Sequence, residues 1–447
     1  MHRYLQNIQG LLKVLLLYPV AERMQKRLIT PKLRILRAEA AAPFAQRKAI
    51  AKERLIGVLS HAKATVPYYQ DLFTSLNFDP ECLRKDMRYF EDIPFLTKDI
   101  VREQGRRLIS STHADAIVRE QKTGSSTGLA ATIYYDQEGL DWTAAQNIMV
   151  LGWGGKSRYH REAHLSTLFA AMSPEAASVE AKKCFVLHRK NIYTEGFGNQ
   201  AQLRLLEDLQ NAKAVFVQGH PSSMFALARY LEKQNKTAPG LFEVFVSTGE
   251  LLTAEQRVLI EKIFSARVSN RYGACEFGVM AQELATGPVD ELLISDSLVW
   301  PETIDSKASE PTELVFTNLR NPVMPLIRYR MGDVGKLAER NNGWWITHLA
   351  GRTHDAVNIN GSSYPTHYVQ DILDRCGPID DFQILVANQI AKELRLVVNP
   401  EQWEQTQQAV KKQFPTLPLR RIDPEDLVFV GIRGKFSYII RENAWKK

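Results

Sequence analysis

The stretch Lys122-Thr123-Gly124-Ser125-Ser126-Thr127-Gly128 sets three hydroxyls between two glycines. The backbone N–H groups of such a loop, together with its hydroxyls, can surround phosphate oxygens, and the glycines let the chain curl without a Cβ clash. Leu129-Ala130-Ala131 follow where the common GxxxxGK[ST] loop has its lysine, so this is a different kind of phosphate loop. A Gly/Ser/Thr-rich segment also reads as a plain surface turn. Its weight comes from the stretches that follow it in order. These are Ser247-Thr248-Gly249-Glu250, Arg271-Tyr272-Gly273-Ala274-Cys275-Glu276 and Tyr329-Arg330-Met331-Gly332-Asp333-Val334-Gly335, then Gly351-Arg352-Thr353-His354-Asp355, Asn360-Gly361 and Gly434-Lys435.

Each supplies something that a nucleotide site needs. Tyr272 can stack on a purine, and Gly273 lets the backbone approach the base. Glu276 is a hard carboxylate suited to Mg²⁺ bridging phosphates. Asp333 suits ribose hydroxyls, and Arg352 can reach ribose or phosphate. Lys435 is a mobile point charge able to stabilise negative charge at a transferring phosphorus. Taken singly, Glu276 is a surface carboxylate, Asp333 a turn residue and Lys435 an ordinary surface lysine. Their joint order favours nucleotide chemistry.

The elements that must hold these residues read as α/β. Apolar β-rich runs at 131–135, 214–217 and 242–246 alternate with helices at 221–234 and from Thr253 through Ile263, the last opened by a Thr253–Gln256 capping box. That order implies a mainly parallel sheet covered by helices, with loops 247–250 and 272–276 at the carboxyl ends of strands, where ligands bind. Shorter β-type runs follow at 291–294, 313–317 and 344–347. Beyond Gly351 the pattern resets: strand 356–359, helix 367–375, strands 382–386 and 393–398, helix 401–414 and strand 427–430. The domains expected are an N-terminal arm 1–50, a large domain 51–350 and a small α+β domain 351–447.

At 447 residues and 45% apolar composition the chain can bury a large core. Cys82, Cys184, Cys275 and Cys376 form no CxxC or Cys/His cluster, which argues against structural zinc or a disulfide framework and suits a reducing cytosol. The net charge is +7, yet residues 1–60 alone carry about +9, so the body is near neutral and no nucleic-acid partner is expected. Within the arm, Leu5, Ile8, Leu11, Leu12, Leu15 and Leu16 share one helical face, with Arg23, Lys26 and Arg27 beyond. The run is too short for a membrane span. It reads first as a helix packed on the protein's own body, and alternatively as a basic amphipathic helix on an anionic membrane or a partner through residues 1–35.

The ordered motifs KTGSSTG, STGE, YGACE, YRMGDVG, GRTHDAVNINGSSYP and GK resemble the adenylate-forming superfamily, specifically its phenylacetate–CoA ligase-like branch with capsular-polysaccharide relatives. HAKATVPYYQDLF and PFLTK are similar to that branch's N-terminal helices, so the resemblance runs from about Arg54 to Lys435. It implies a large domain binding ATP and a carboxylic acid, and a small mobile domain that rotates between half-reactions. Carried over, Thr123, Gly124, Ser125, Ser126, Thr127 and Gly128 form the phosphate loop, with Thr127 catalytic. Gly249, Glu250, Tyr272 and Gly273 line the adenine pocket, Glu276 binds Mg²⁺, Asp333 the ribose and Arg352 the nucleotide near the hinge, and Lys435 drives adenylation. The implied activity is acyl-adenylate formation from ATP with Mg²⁺, then transfer to coenzyme A or to an amine, hydroxyl or carrier thiol. A non-catalytic nucleotide-binding scaffold is the rival. There are three departures from the pattern: Gly124 and Ser125 are exchanged and Leu129-Ala130 follow the loop, Cys275 replaces Thr or Ser, and His354 replaces Asp or Lys. His220, Tyr134, Tyr135, Trp142 and Trp153 read as structural. A cytoplasmic location is expected, peripheral at the membrane if the arm docks there, and a homodimer is left open.

Overall fold

The computed structural model describes residues 2–122, 131–166, 172–194, 198–305, 310–352, 356–359, 361–373, 375–388, 390–430 and 435–442. The phosphate-loop residues Thr123–Gly128 and His354 lie outside them. The loop is flanked by the antiparallel strands Ile117–Lys122 and Thr132–Asp136.

Among the described residues the largest sheet has eleven strands and changes character along its width. One half is parallel, in the order Arg189–Tyr193, Glu162–Ser166, Phe216–Gly219, Val244–Thr248 and Arg267–Ala274. Val244–Thr248 is apolar almost throughout because helices cover such strands on both faces. The other half is antiparallel, running through Gly278–Gln282, Leu292–Ile294, Gly343–Arg352, Tyr329–Arg340, Thr312–Asn318 and Val299–Thr303. The mainly parallel sheet read from the sequence is therefore the half that carries the STGE and YGACE stretches. A separate sheet with its own core is built from Ala356–Ile359, Ser362–Pro365, Asp381–Ala387, Ile390–Val397, Leu419–Ile422 and Ile439–Arg441.

Local signals set the helix starts. Thr253 accepts from the Gln256 N–H while Gln256 returns a bond to the Thr253 N–H, opening Ala254–Phe264. Thr97 caps Lys98–Gln104, and Asp136 caps Gln137–Trp153 by accepting from the Gly139 N–H at 2.7 Å. Gln137–Trp153 is buried on two sides, so apolar residues and the buried polar residues Asp141 and Gln146 are spread around it. The sheet lies on one side. On the other, Trp142, Ala145 and Met149 pack on Tyr18, Ile29, Leu33 and Leu36 of the arm. The aromatics read as structural fall in or against the core: Tyr135 and Trp142 are buried, and Tyr134 and Trp153 pack against it.

The arm packs on the body, as first read, but its leucine face is not the face that makes the contact. Gln6, Gly10, Tyr18 and Glu22 are its inward residues, whereas Leu5, Ile8, Leu11, Leu12, Leu15 and Leu16 are each 40–60% exposed. A face repeating every four residues drifts by about 40° per step in an α-helix. The wider π-turn at Lys13–Leu17 slows that drift and keeps the polar face inward. Gly10 permits the contact, since a Cβ there would stand 1.9 Å from the Tyr159 carbonyl oxygen. The leucine ridge, though apolar, thus points away from the body.

Asp141, 2% exposed, anchors the arm. It pairs with Arg27 and accepts from the Leu28 N–H at 2.6 Å and from Gln137 Nε2 at 3.0 Å. Asp141→Ala removes the acceptor of the Leu28 N–H and the carboxylate partner of the Arg27 guanidinium. The expected loss is about 3 kcal/mol, seen as a lower unfolding midpoint and as faster proteolytic release of residues 1–40. Unchanged resistance to protease would show that the apolar contacts alone hold the arm.

Candidate functional site

The strand Arg267–Ala274 turns back into Gly278–Gln282, and the two approach so closely that a Cβ on Gly273 would lie 2.7 Å from the Gly278 carbonyl oxygen. Gly273 is required by the hairpin itself. One residue earlier, the Tyr272 hydroxyl donates to Asp333 Oδ2 at 2.7 Å, and both side chains are buried. The Tyr272 ring lies 6.2 Å from that of Phe316. Asp333 belongs to Tyr329–Arg340, in register with Arg352 on the neighbouring strand. The turn before it is fixed by Glu313, which accepts from Gly332 N–H and Arg330 Nε, both at 2.9 Å. Gly332 has φ +74, a left-handed conformation that suits glycine.

Glu276 sits at the tip of the same hairpin. The Tyr135 hydroxyl bonds the carbonyls of Cys275 and Glu276 at 3.0 and 2.7 Å, tying this tip to the strand Thr132–Asp136 that follows the phosphate loop. Each Glu276 carboxylate oxygen takes one donor: Oε2 from Cys275 Sγ at 3.2 Å, and Oε1 from the Tyr329 hydroxyl at 3.4 Å. Cys275 therefore fills the donor role of the Thr or Ser it replaces. Among the described residues no group of three or more His, Cys, Asp or Glu could hold a metal ion. Glu276 alone fits Mg²⁺ of the kind that keeps its waters and takes most of its remaining ligands from phosphates.

The third part lies at the end of Val244–Thr248. Gly249 has φ +86, and Glu250 Oε1 accepts from the Phe436 N–H at 3.0 Å while Oε2 accepts from the Ser222 N–H at 3.4 Å. His220 Nδ1 stands 3.4 Å from the same carboxylate. Glu250 thus joins the start of helix Pro221–Lys233 to the short strand Lys435–Phe436, which pairs with Phe429–Val430. Lys435 is placed through its backbone at this junction; its side chain and that of Arg352 are outside the described atoms. The sequence reading put Glu250 in the adenine pocket without foreseeing this link.

A second group was passed over in the sequence. Arg271 lies directly before Tyr272 on the same strand, so its side chain leaves by the opposite face. There it donates to Asn147 Oδ1 at 3.0 Å, Gln218 Oε1 at 3.1 Å and Thr248 Oγ1 at 3.2 Å. Gln218 Nε2 is in turn 3.5 Å from His164 Nε2. Burial pulls Arg271 down to about 10, and burial with the nearby cations Arg189 and Arg271 takes His164 down to about 3, so this histidine is neutral at physiological pH. An arginine in an interior strand, directly before a ligand motif, was the signal available.

No protein-family model matches the chain. It is 26% identical to phenylacetate-coenzyme A ligase of Pseudomonas putida, over 72% of this chain and 74% of that one. The enzyme of the same name from Escherichia coli (strain K12) is also 26% identical, over 73% and 76%. Among solved structures, 2-hydroxyisobutyryl-CoA ligase in the postadenylation state, bound to R3-HIB-AMP, matches with a TM-score of 0.69 at 17% identity and 90% coverage of both chains. The same ligase in its thioesterification state, with 2-HIB-AMP and CoA, gives 0.58 at 18% identity. These structures share the fold. With six motifs in order and relatives matched over nearly three quarters of the chain, the protein is similar in sequence to phenylacetate-coenzyme A ligases and shares the fold of an acyl-CoA ligase.

Proposed function

We propose that this protein is an ATP-dependent ligase that converts a carboxylic acid to its acyl-adenylate and passes the acyl group to coenzyme A. The observation that carries the reading is the convergence of Glu276, the Tyr272–Asp333 pair and the Glu250-held strand of Lys435. In the first half-reaction a substrate carboxylate oxygen bonds to the α-phosphorus of ATP, the bond to the β-phosphoryl oxygen breaks, and pyrophosphate leaves. No general base is needed, because a carboxylate is already ionised at neutral pH. Lys435 offsets the negative charge that develops at phosphorus. Asp333, oriented by the Tyr272 hydroxyl, takes the ribose hydroxyls, and Arg352 binds beside it. Glu276 would hold Mg²⁺, whose charge neutralises phosphate oxygens. In the second half-reaction the coenzyme A thiol attacks the acyl carbon, the C–S bond forms, AMP leaves and the thiol proton passes to solvent.

The domain division that accompanies this chemistry is an arm 1–50, a large domain 51–350 and a small domain 351–447 that turns about the region of Arg352. In the present arrangement Arg229 and Lys233 pair with Asp380, and Arg229 also bonds Glu255 at 2.7 Å. Rotation would have to break the pairs with Asp380.

A second reading concerns location. The exposed leucines of the arm, flanked by exposed Arg23, Lys26, Arg34 and Arg37, form an apolar ridge with a basic rim that suits an anionic membrane surface. Among the described residues no helix is long and apolar enough to cross a membrane. A homodimer through the same ridge is the competing occupant.

Three outcomes are expected. Carboxylate-dependent ATP–pyrophosphate exchange appears with one class of acid and falls by about 10²–10³-fold in Lys435→Ala; nucleotide binding without exchange for any acid would favour the scaffold alternative. Asp333→Ala raises the KM for ATP by about 10–100-fold, and Tyr272→Phe raises it less, since only the orienting bond is lost; equal effects would mean that the hydroxyl does more than orient. Wild-type protein co-sediments with vesicles containing anionic lipid, and the triple variant Leu12→Asp, Leu15→Asp, Leu16→Asp does not. Equal pelleting would remove the membrane reading, and a shift from dimer to monomer in the variant would assign the ridge to self-association.

A further inference from the structure

Arg271 is buried in a way its peers are not. Arg257 and Arg328 are buried to a similar degree, and each pairs with carboxylates: Arg257 with Glu283 and Asp290, Arg328 with Glu302. Nearby, Lys156 pairs with Glu162 and Arg189 with Glu180. Arg271 is 8% exposed, and among the described residues no carboxylate pairs with it; its acceptors are the neutral oxygens of Asn147, Gln218 and Thr248. A guanidinium cannot shed its charge, so a buried one without a counter-ion is costly and is stabilised by an anion that reaches it.

The position says where that anion comes from. Arg271 is directly before Tyr272, Thr248 is two residues before Glu250, and Gln218 is two residues before His220. Three of the residues, Arg271, Thr248 and Gln218, are thus one or two positions from Tyr272, Glu250 and the His220 that faces Glu250, on strands paired in register: Gln218 opposite Val246, and Thr248 opposite Arg271; Asn147 reaches the guanidinium from helix Gln137–Trp153. Asn147, His164, Gln218 and Thr248 are each only partly buried, so the residues around the guanidinium keep some contact with solvent.

We propose that this cluster is the far end of the acyl site, and that the acid activated here carries a second anionic oxygen group, carboxylate or sulfonate, which binds Arg271. An unsubstituted aryl or alkyl acid would bury an apolar end against an unneutralised guanidinium and several amides, which disfavours it. The proposal rests on the ligase reading of the site and names its substrate class.

The test has two readouts. Direct binding of chain-matched dicarboxylates, sulfo-acids and unsubstituted acids is measured by calorimetry on the full chain, and exchange is measured with the same panel. Wild-type protein is expected to bind and to exchange best with a doubly anionic acid. Arg271→Met is expected to reduce the ratio of its rate to that of a length-matched apolar acid at least about 100-fold, with Arg271→Lys intermediate. Which group wins, carboxylate or sulfonate, is read from the panel. The unfolding midpoint of Arg271→Met should not fall, because a buried unpaired charge is being removed; if that variant does not fold, Gln218→Leu takes its place in the ratio measurement. Exchange that is fastest with unsubstituted acids, or that falls equally for all acids in Arg271→Met and Arg271→Lys, overturns the proposal while leaving the ligase reading intact. Arg271-dependent binding without exchange by any acid would sink the ligase reading and uphold the anion site.

Discussion

The carboxylate of Glu250 is the joint on which the arrangement turns. It closes the strand Val244–Thr248, receives the first N–H groups of a helix through Ser222, and receives the Phe436 N–H from a segment 186 residues away. Because a short two-stranded ribbon has little stability of its own, the position of Lys435 depends on that bond and on the pairing of Phe429–Val430 with Lys435–Phe436. A carboxylate accepting from a backbone N–H makes a charge-assisted bond, stronger than a neutral one. Such a bond is also separable, since it ties the segment to the large sheet through hydrogen bonds and not through a shared core.

Around this joint, buried hydrogen bonds specify geometry more than they stabilise it. Tyr272 to Asp333, Tyr135 to the Cys275 and Glu276 carbonyls, and Glu313 to Gly332 each fix a polar atom that would otherwise have several rotamers or turn geometries open to it. The helix Gln137–Trp153 carries Asn147 towards Arg271 and, on its other side, Asp141 and Trp142 towards the arm. The arm and the polar cluster on the central strands of the sheet are therefore connected through one buried helix.

Much of the fold was legible because its signals are local. The Thr253–Gln256 capping box, the Thr97 cap and the runs that became Val244–Thr248 and Thr312–Asn318 all lie within a few residues of what they specify. The order of motifs also pointed to the ligases that the chain is similar to. What could not be read locally were pairings at long range: that Tyr272 meets Asp333 across 61 residues, and that Glu250 meets Phe436. The antiparallel half of the large sheet likewise depends on strand pairs whose order no periodicity encodes. The contacting face of the arm was not legible for a different reason. An apolar helical face is expected inward, but Gly10 and the π-turn at Lys13–Leu17 let the polar face make the contact. Arg271 escaped notice because what matters is that no carboxylate pairs with it among the described residues, and only three-dimensional neighbours reveal that.

The central claim is that Glu276, Asp333 and the Glu250-held strand surround one adenylate. A crystal structure of the full chain with a non-hydrolysable acyl-sulfamoyl adenosine tests it most directly. The account predicts both ribose hydroxyls within hydrogen-bond distance of the Asp333 carboxylate, the sulfamoyl group between Glu276 and the Lys435 strand, and the acyl chain pointing towards Arg271. An analogue seated elsewhere, or with its ribose away from Asp333, would contradict it.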